Sequence, residues 1–139
     1  MIIKKLQLNN FRNYENLDIS FNEGVNLLYG NNAQGKTNVL EAVFMIATTK
    51  SIRGSKDRDM IRFDQDEAHI SAFVERNEIT HKIDIHLKRN KAKGLAIDGI
   101  PIRRSAELLG LLHAVSFSPD DLSMMKEGPQ ERRRFLDME

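Results

Sequence analysis

The sequence of 139 residues predicts an α/β fold with an added antiparallel β-sheet, and three observations carry that reading. Gly30, Asn31, Asn32, Ala33, Gln34, Gly35, Lys36 and Thr37 fit a phosphate-binding loop, two glycines five apart followed directly by lysine and a hydroxyl residue. Val25-Asn26-Leu27-Leu28-Tyr29 reads as a short buried strand running straight into the loop, and Val39, Leu40, Val43, Phe44 and Ala47 follow at helical spacing. Beyond residue 65, apolar and polar residues alternate in the period of half-buried strands.

The order strand, loop, helix is what the chemistry of the loop needs. Glycines let the backbone wrap around a polyphosphate with its N–H groups pointing inward. Lys36 supplies a point charge for the β- and γ-phosphates, and the Thr37 hydroxyl suits Mg²⁺. The helix behind the loop aims its positive end at the same phosphates. These residues predict a nucleoside-triphosphate site of the P-loop NTPase kind, taking ATP with Mg²⁺.

Residues 2–8 read as a first strand, ended by the polar pair Asn9-Asn10. Leu17, Ile19 and Phe21 alternate with Asp18 and Ser20 as a second strand, and Asn22-Glu23-Gly24 turns the chain into residues 25–29. The helix runs to Thr48, and residues 50–62 form an irregular basic segment. Ile70, Ala72 and Val74 then share one strand face, as do Ile83, Ile85 and Leu87. Leu95 and Ile97 lead to Asp98-Gly99, a hairpin-turn dipeptide. A leucine-rich helix is expected over residues 105–112, a short strand over 114–117, and a last helix from Pro129, with Glu131 in its opening turn. The expected division is a nucleotide-binding core over about residues 1–50 and 105–139, interrupted by an antiparallel insertion over about 65–102.

Bulk composition excludes more than it selects. A net charge of +1 argues against a globally basic nucleic-acid binder, so any such surface must be local. The absence of cysteine excludes disulfides and thiolate metal sites. No apolar run reaches membrane-spanning length and the first residues lack a signal-peptide core, so a cytoplasmic protein is expected.

Hydrolysis needs more than the loop: a carboxylate at a strand end must hold Mg²⁺ and orient water. Asp120-Asp121 is the nearest candidate, but no run of four apolar residues leads directly into it, and helix N-capping is the better reading for one of the pair. The chain is therefore expected to bind ATP without hydrolysing it efficiently, as the front part of a longer ATPase that ends before its catalytic acid. Two basic clusters are candidate DNA contacts: Lys50, Arg53, Lys56 and Arg58, and the hairpin-tip set Lys88, Arg89, Lys91 and Lys93. Charged tips are also common on proteins that bind nothing. Arg132 to Arg134 stand three in a row and read as structural more than DNA-contacting. His69, His81, His86 and His113 show no metal-ligand spacing in sequence and read as solvated or satisfied.

Four segments carry a family resemblance: Leu6-Gln7-Leu8-Asn9-Asn10-Phe11-Arg12-Asn13-Tyr14; the phosphate loop; Thr48-Thr49-Lys50-Ser51-Ile52-Arg53 with Asp59-Met60-Ile61-Arg62-Phe63; and Phe117-Ser118-Pro119-Asp120-Asp121-Leu122 with Gly128-Pro129-Gln130-Glu131-Arg132-Arg133-Arg134-Phe135-Leu136-Asp137. On these the chain resembles the N-terminal part of the RecF family of bacterial DNA replication and repair ATPases, related to ABC-type, SMC and Rad50 heads. The resemblance implies an ABC-ATPase-like head lobe and an ATP-dependent homodimer closed by a signature motif beyond this sequence. It implies slow ATP hydrolysis, DNA binding near single-strand/double-strand junctions, and work with RecO and RecR to help load RecA. It also implies that Arg12 approaches the nucleotide phosphates. Where relatives place a γ-phosphate-sensing glutamine, this chain has Ser118-Pro119-Asp120. A head fragment of an SMC or Rad50 protein is the alternative, followed by a small P-loop kinase, for which Arg132 to Arg134 is the one lid-like run.

Overall fold

The computed structural model describes residues 1–108 and 110–117. Six strands form one antiparallel sheet: β1 (Ile2–Phe11), β2 (Tyr14–Ser20), β3 (Glu67–Arg76), β4 (Ile79–Lys88), β5 (Lys91–Ile97) and β6 (Ile100–Ile102), in the order β2-β1-β3-β4-β5-β6. One α-helix, α1 (Lys36–Thr48), lies across β3 and β4. The predicted alternation thus forms strands, and those of residues 65–102 continue the same sheet as β1 and β2.

Period-2 alternation decides which face is dry. Ala68, Ile70, Ala72 and Val74 of β3 are fully buried beside Ile83, Ile85 and Leu87 of β4. Their register pairs Ile70 with Ile85 and Ala72 with Ile83. α1 closes this face with Ala42, Met45 and Ile46, all fully buried. The opposite face carries the row Asn16, Asn9, His69, His86, Gly94, one residue from each of five adjacent strands.

Turn chemistry sets the connections. Asp98 and Gly99 both take positive φ (52° and 79°), the type I′ requirement, and join β5 to β6 as the dipeptide predicts. The first strand does not stop at Asn9-Asn10: β1 runs to Phe11, and Arg12-Asn13 makes the turn into β2. The fully buried Phe11 side chain holds that last residue, which also bridges to Ile61.

Three expected elements are corrected. Residues 25–29 form no strand, because no described segment pairs with their backbone. Val25, Leu27 and Tyr29 are 95, 80 and 88% exposed, whereas Leu28 packs against the core. Residues 114–117 likewise form no strand, with Val115 and Phe117 exposed. The expected helix over 105–112 is reduced to the 3₁₀ turn Ser105–Glu107, after which Gly110 takes φ +99°, outside the helical region. Leu108 and Leu112 still bury their side chains. The last expected helix, Asp120-Asp121 and Arg132 to Arg134 lie outside the described residues. Among the described residues no helix is long and apolar enough to cross a membrane.

Candidate nucleotide-binding site

The phosphate loop joins the exposed segment 25–29 to α1, and its backbone conformation is set at three positions. Gly30, Ala33 and Gly35 take φ of 145°, 65° and 98°. Gly35 is the N-cap of α1, and no side chain there accepts from the first-turn amides. No acidic residue sits in that first turn either. The positive end of a 13-residue helix is therefore left to the loop.

The β1–β2 turn presses against the loop from the other side. Asn13 Nδ2 and Tyr14 Oη both donate to the Gln34 carbonyl, at 3.3 and 3.4 Å, and Asn38 Nδ2 donates to Asn13 Oδ1 at 2.8 Å. A Cβ at Gly35 would stand 2.7 Å from both terminal atoms of Asn13 and 2.8 Å from Tyr14 Oη. Positive φ and this close approach together require glycine here. At Gly30 the same construction meets only Gln34 Oε1, at 3.1 Å. Lys36 Nζ donates to the carbonyls of Gly30 and Asn31 at 2.7 and 2.6 Å, so its charge stays over the loop. Thr37 is exposed beside it, as are Asn31, Asn32, Ala33 and Gln34. The residues predicted from sequence, 30–37, are thus brought together as one loop and helix end, and these features fit a polyphosphate.

Arg12 is placed differently from the loop residues. It sits in the β1–β2 turn with φ 53°, and its guanidinium forks onto the fully buried Glu41 of α1: Nε to Oε2 at 2.9 Å, Nη2 to Oε1 at 2.8 Å. Nη2 also donates to Ser55 Oγ and Nη1 to the Asp59 carbonyl, so four of its five N–H donors are engaged. Ser51 Oγ donates to Glu41 Oε1 at 2.6 Å. Burial pushes the Glu41 carboxyl up, but the hydrogen bonds from Arg12 and Ser51 and the charges of Arg12 and Arg53 outweigh it and hold the carboxyl below its ordinary value. Sequence reasoning missed Glu41 and the clamp by Asn13 and Tyr14. An acidic residue on the apolar side of an amphipathic helix needs a cation partner, but nothing local in the sequence says which one.

Of the two basic clusters, Arg53 and Arg58 from the first and Arg89 alone from the second line one hollow, and Lys50, Lys56, Lys88 and Lys91 are not among its lining residues. Arg53 and Arg58 share a hollow of about 560 Å³ with Arg89, Arg12 and the 86% exposed ring of Phe63. Lys93 does not join them. Its Nζ donates to the Thr49 carbonyl at the C-terminal end of α1 (2.6 Å) and pairs with Asp57 (3.1 Å), a structural task.

The fold and loop define a class. The AAA domain model matches residues 5–126, and the chain belongs to that family of P-loop ATPases. Within it, the similarity is to RecF. The chain is 61% identical, over all 139 residues, to the DNA replication and repair protein RecF of Lachnoclostridium phytofermentans, of which it covers 39%. A solved structure of the recombination mediator protein RecF-ATP in the RecFOR pathway superposes with a TM-score of 0.87 at 38% identity, covering 99% of this chain and 38% of that one. A structure from work on ATP-driven dimerization of SMC ATPases matches with a TM-score of 0.77 at 22% identity over 97% of each chain, which shows a shared head fold alone. The chain spans less than two-fifths of the length of the curated RecF relatives.

Proposed function

We propose that this chain binds ATP with Mg²⁺ through residues 30–37, as the nucleotide-binding part of a RecF-type DNA replication, recombination and repair protein. The observation that carries the reading is the loop wedged between the β1–β2 turn and the uncapped end of α1. Gly30 and Gly35 hold the positive φ that shapes the loop, Gly35 packed directly under Asn13 and Tyr14; the α1 amides and Lys36 meet the phosphates, and Thr37 offers its hydroxyl to Mg²⁺. Bound Mg²⁺ would neutralise charge between the β- and γ-phosphates. Arg12 has one N–H donor beyond the four given to Glu41, Ser55 and Asp59, and its reach toward the phosphates rests on that donor while Glu41 fixes its position. In the longer protein the head dimerises with ATP, binds DNA at single-strand/double-strand junctions, and acts with RecO and RecR to help load RecA. SMC-type heads share the fold at 22% identity, against 61% for RecF, which makes that alternative the weaker one.

Calorimetric titration of ATP·Mg²⁺ into this chain, beside Lys36→Ala, tests the reading. Saturable binding that weakens at least tenfold in the variant is the expected outcome, given the loss of a charge-assisted phosphate contact. Equal binding by both proteins would overturn it. For the DNA surface, Arg53, Arg58 and Arg89 supply phosphate contacts and Phe63 a stacking face. Replacing the three arginines with alanine is expected to weaken DNA binding across sequences and flatten its salt dependence, read by fluorescence anisotropy between about 50 and 200 mM salt. An unchanged salt slope would remove this surface from the DNA interface.

A further inference from the structure

We propose that Glu67, His69 and His86 form a site for a borderline-soft divalent cation of the Zn²⁺ type on the open face of the sheet, away from the phosphate loop. His69 of β3 and His86 of β4 are direct cross-strand partners, and Glu67 lies two residues before His69, hence on the same face. The two imidazoles stack with centroids 3.8 Å apart and planes 25° from parallel. Glu67 Oε2 lies 2.7 Å from His86 Nε2. One ligand atom from each of the three falls within 4.8 Å of the others.

Three things favour a cation here. Two imidazoles and a carboxylate are the donor set that Zn²⁺ takes, with bonds of about 2.0–2.2 Å and ligand atoms roughly 3.3 Å apart. The three ligand atoms already lie within 4.8 Å of one another, on side chains that are not buried. Second, stacked imidazoles disfavour a double positive charge. The neutral imidazole is the form that ligates a metal, and the stacked pair offers its ring nitrogens on one open face. Third, Gly94 faces His86 from β5, and even an added Cβ there would approach only His86 Cβ, at 3.7 Å. That leaves room for a fourth ligand such as water. Lys88 stands beside Glu67 and opposes the cation, which sets the site apart from a closed structural zinc centre.

The test is titration of Zn²⁺ into the full chain without nucleotide, in competition with a chromophoric chelator, with Co²⁺ as a spectroscopic probe. One Zn²⁺ per chain is expected, with Co²⁺ giving visible absorption bands. His69→Asn, His86→Asn and Glu67→Gln should each weaken binding by about tenfold or more, while His81→Asn, at the separate His81–Asp98 pair, should not. Circular dichroism confirms that each variant is folded. Should a histidine variant unfold, Glu67→Gln, on an exposed side chain, decides alone. No saturable binding below millimolar Zn²⁺, or binding indifferent to Glu67→Gln and His86→Asn, would overturn the proposal. Lys36→Ala should keep the metal site, so its failure and that of the nucleotide site are distinguishable.

Discussion

At the scale of single residues, the loop was legible because its chemistry is local. Gly30, Gly35, Lys36 and Thr37 stand within eight positions of one another, and that pattern alone points to the nucleotide-site reading proposed above. Glu41 was not legible, because its partners Arg12 and Ser51 come from the β1–β2 turn and the segment after α1, 29 and 10 positions away. Its energetics make a sharp prediction. Glu41→Gln leaves Arg12 buried against a neutral amide, and breaking one side of a buried pair costs about 3 kcal/mol. The folded pKa of Glu41 lies below its ordinary value, so its stabilisation is fully present above the unfolded value of about 4.3 and fades as pH falls through the depressed value. Urea unfolding of both proteins should therefore show a stability gap at pH 7 that narrows below about pH 4. A gap independent of pH would mean that packing, and not the ion pair, holds Glu41 in place.

At the scale of elements, alternation and turn dipeptides predicted β2 to β5 well, since both signals are short-range. Sheet order was not readable: β1 pairs with β3 some sixty residues later, and the choice is made by burial across the whole sheet. The helix expected over 105–112 on its leucine content is cut to the 3₁₀ turn Ser105–Glu107, because Gly110 takes a positive φ that a helix cannot continue through. Lys93 belongs to this scale as well. Charge alone marked it for DNA, but it ties β5 to the end of α1 and to Asp57. Lys93→Met removes those bonds and leaves the Thr49 carbonyl and Asp57 without their cation. The expected cost is about 1–2 kcal/mol, a Tm drop of roughly 3–8 °C, with DNA affinity unchanged. A loss of DNA affinity at unchanged Tm would return Lys93 to the basic surface.

At the scale of the whole molecule, Val25, Leu27 and Tyr29 of segment 25–29 and Val115 and Phe117 of segment 114–117 stay exposed among the described residues. Their strand-like composition was legible in the sequence, but a strand exists only when its backbone finds a neighbour, and that neighbour is a long-range fact. Val25, Leu27 and Tyr29 point outward while Leu28 packs inward, so the segment keeps the alternation of a strand without its hydrogen-bond ladder. An exposed, unpaired apolar stretch is a template for association with further copies. This chain should self-associate as its concentration rises, and Val25→Lys with Leu27→Lys should suppress that while leaving Tm unchanged, because neither side chain contributes to the core. Sedimentation and light scattering read the first effect, and a thermal melt the second. If the double substitution instead unfolds the protein, these side chains are buried in solution and residues 25–29 form the strand that their sequence suggests.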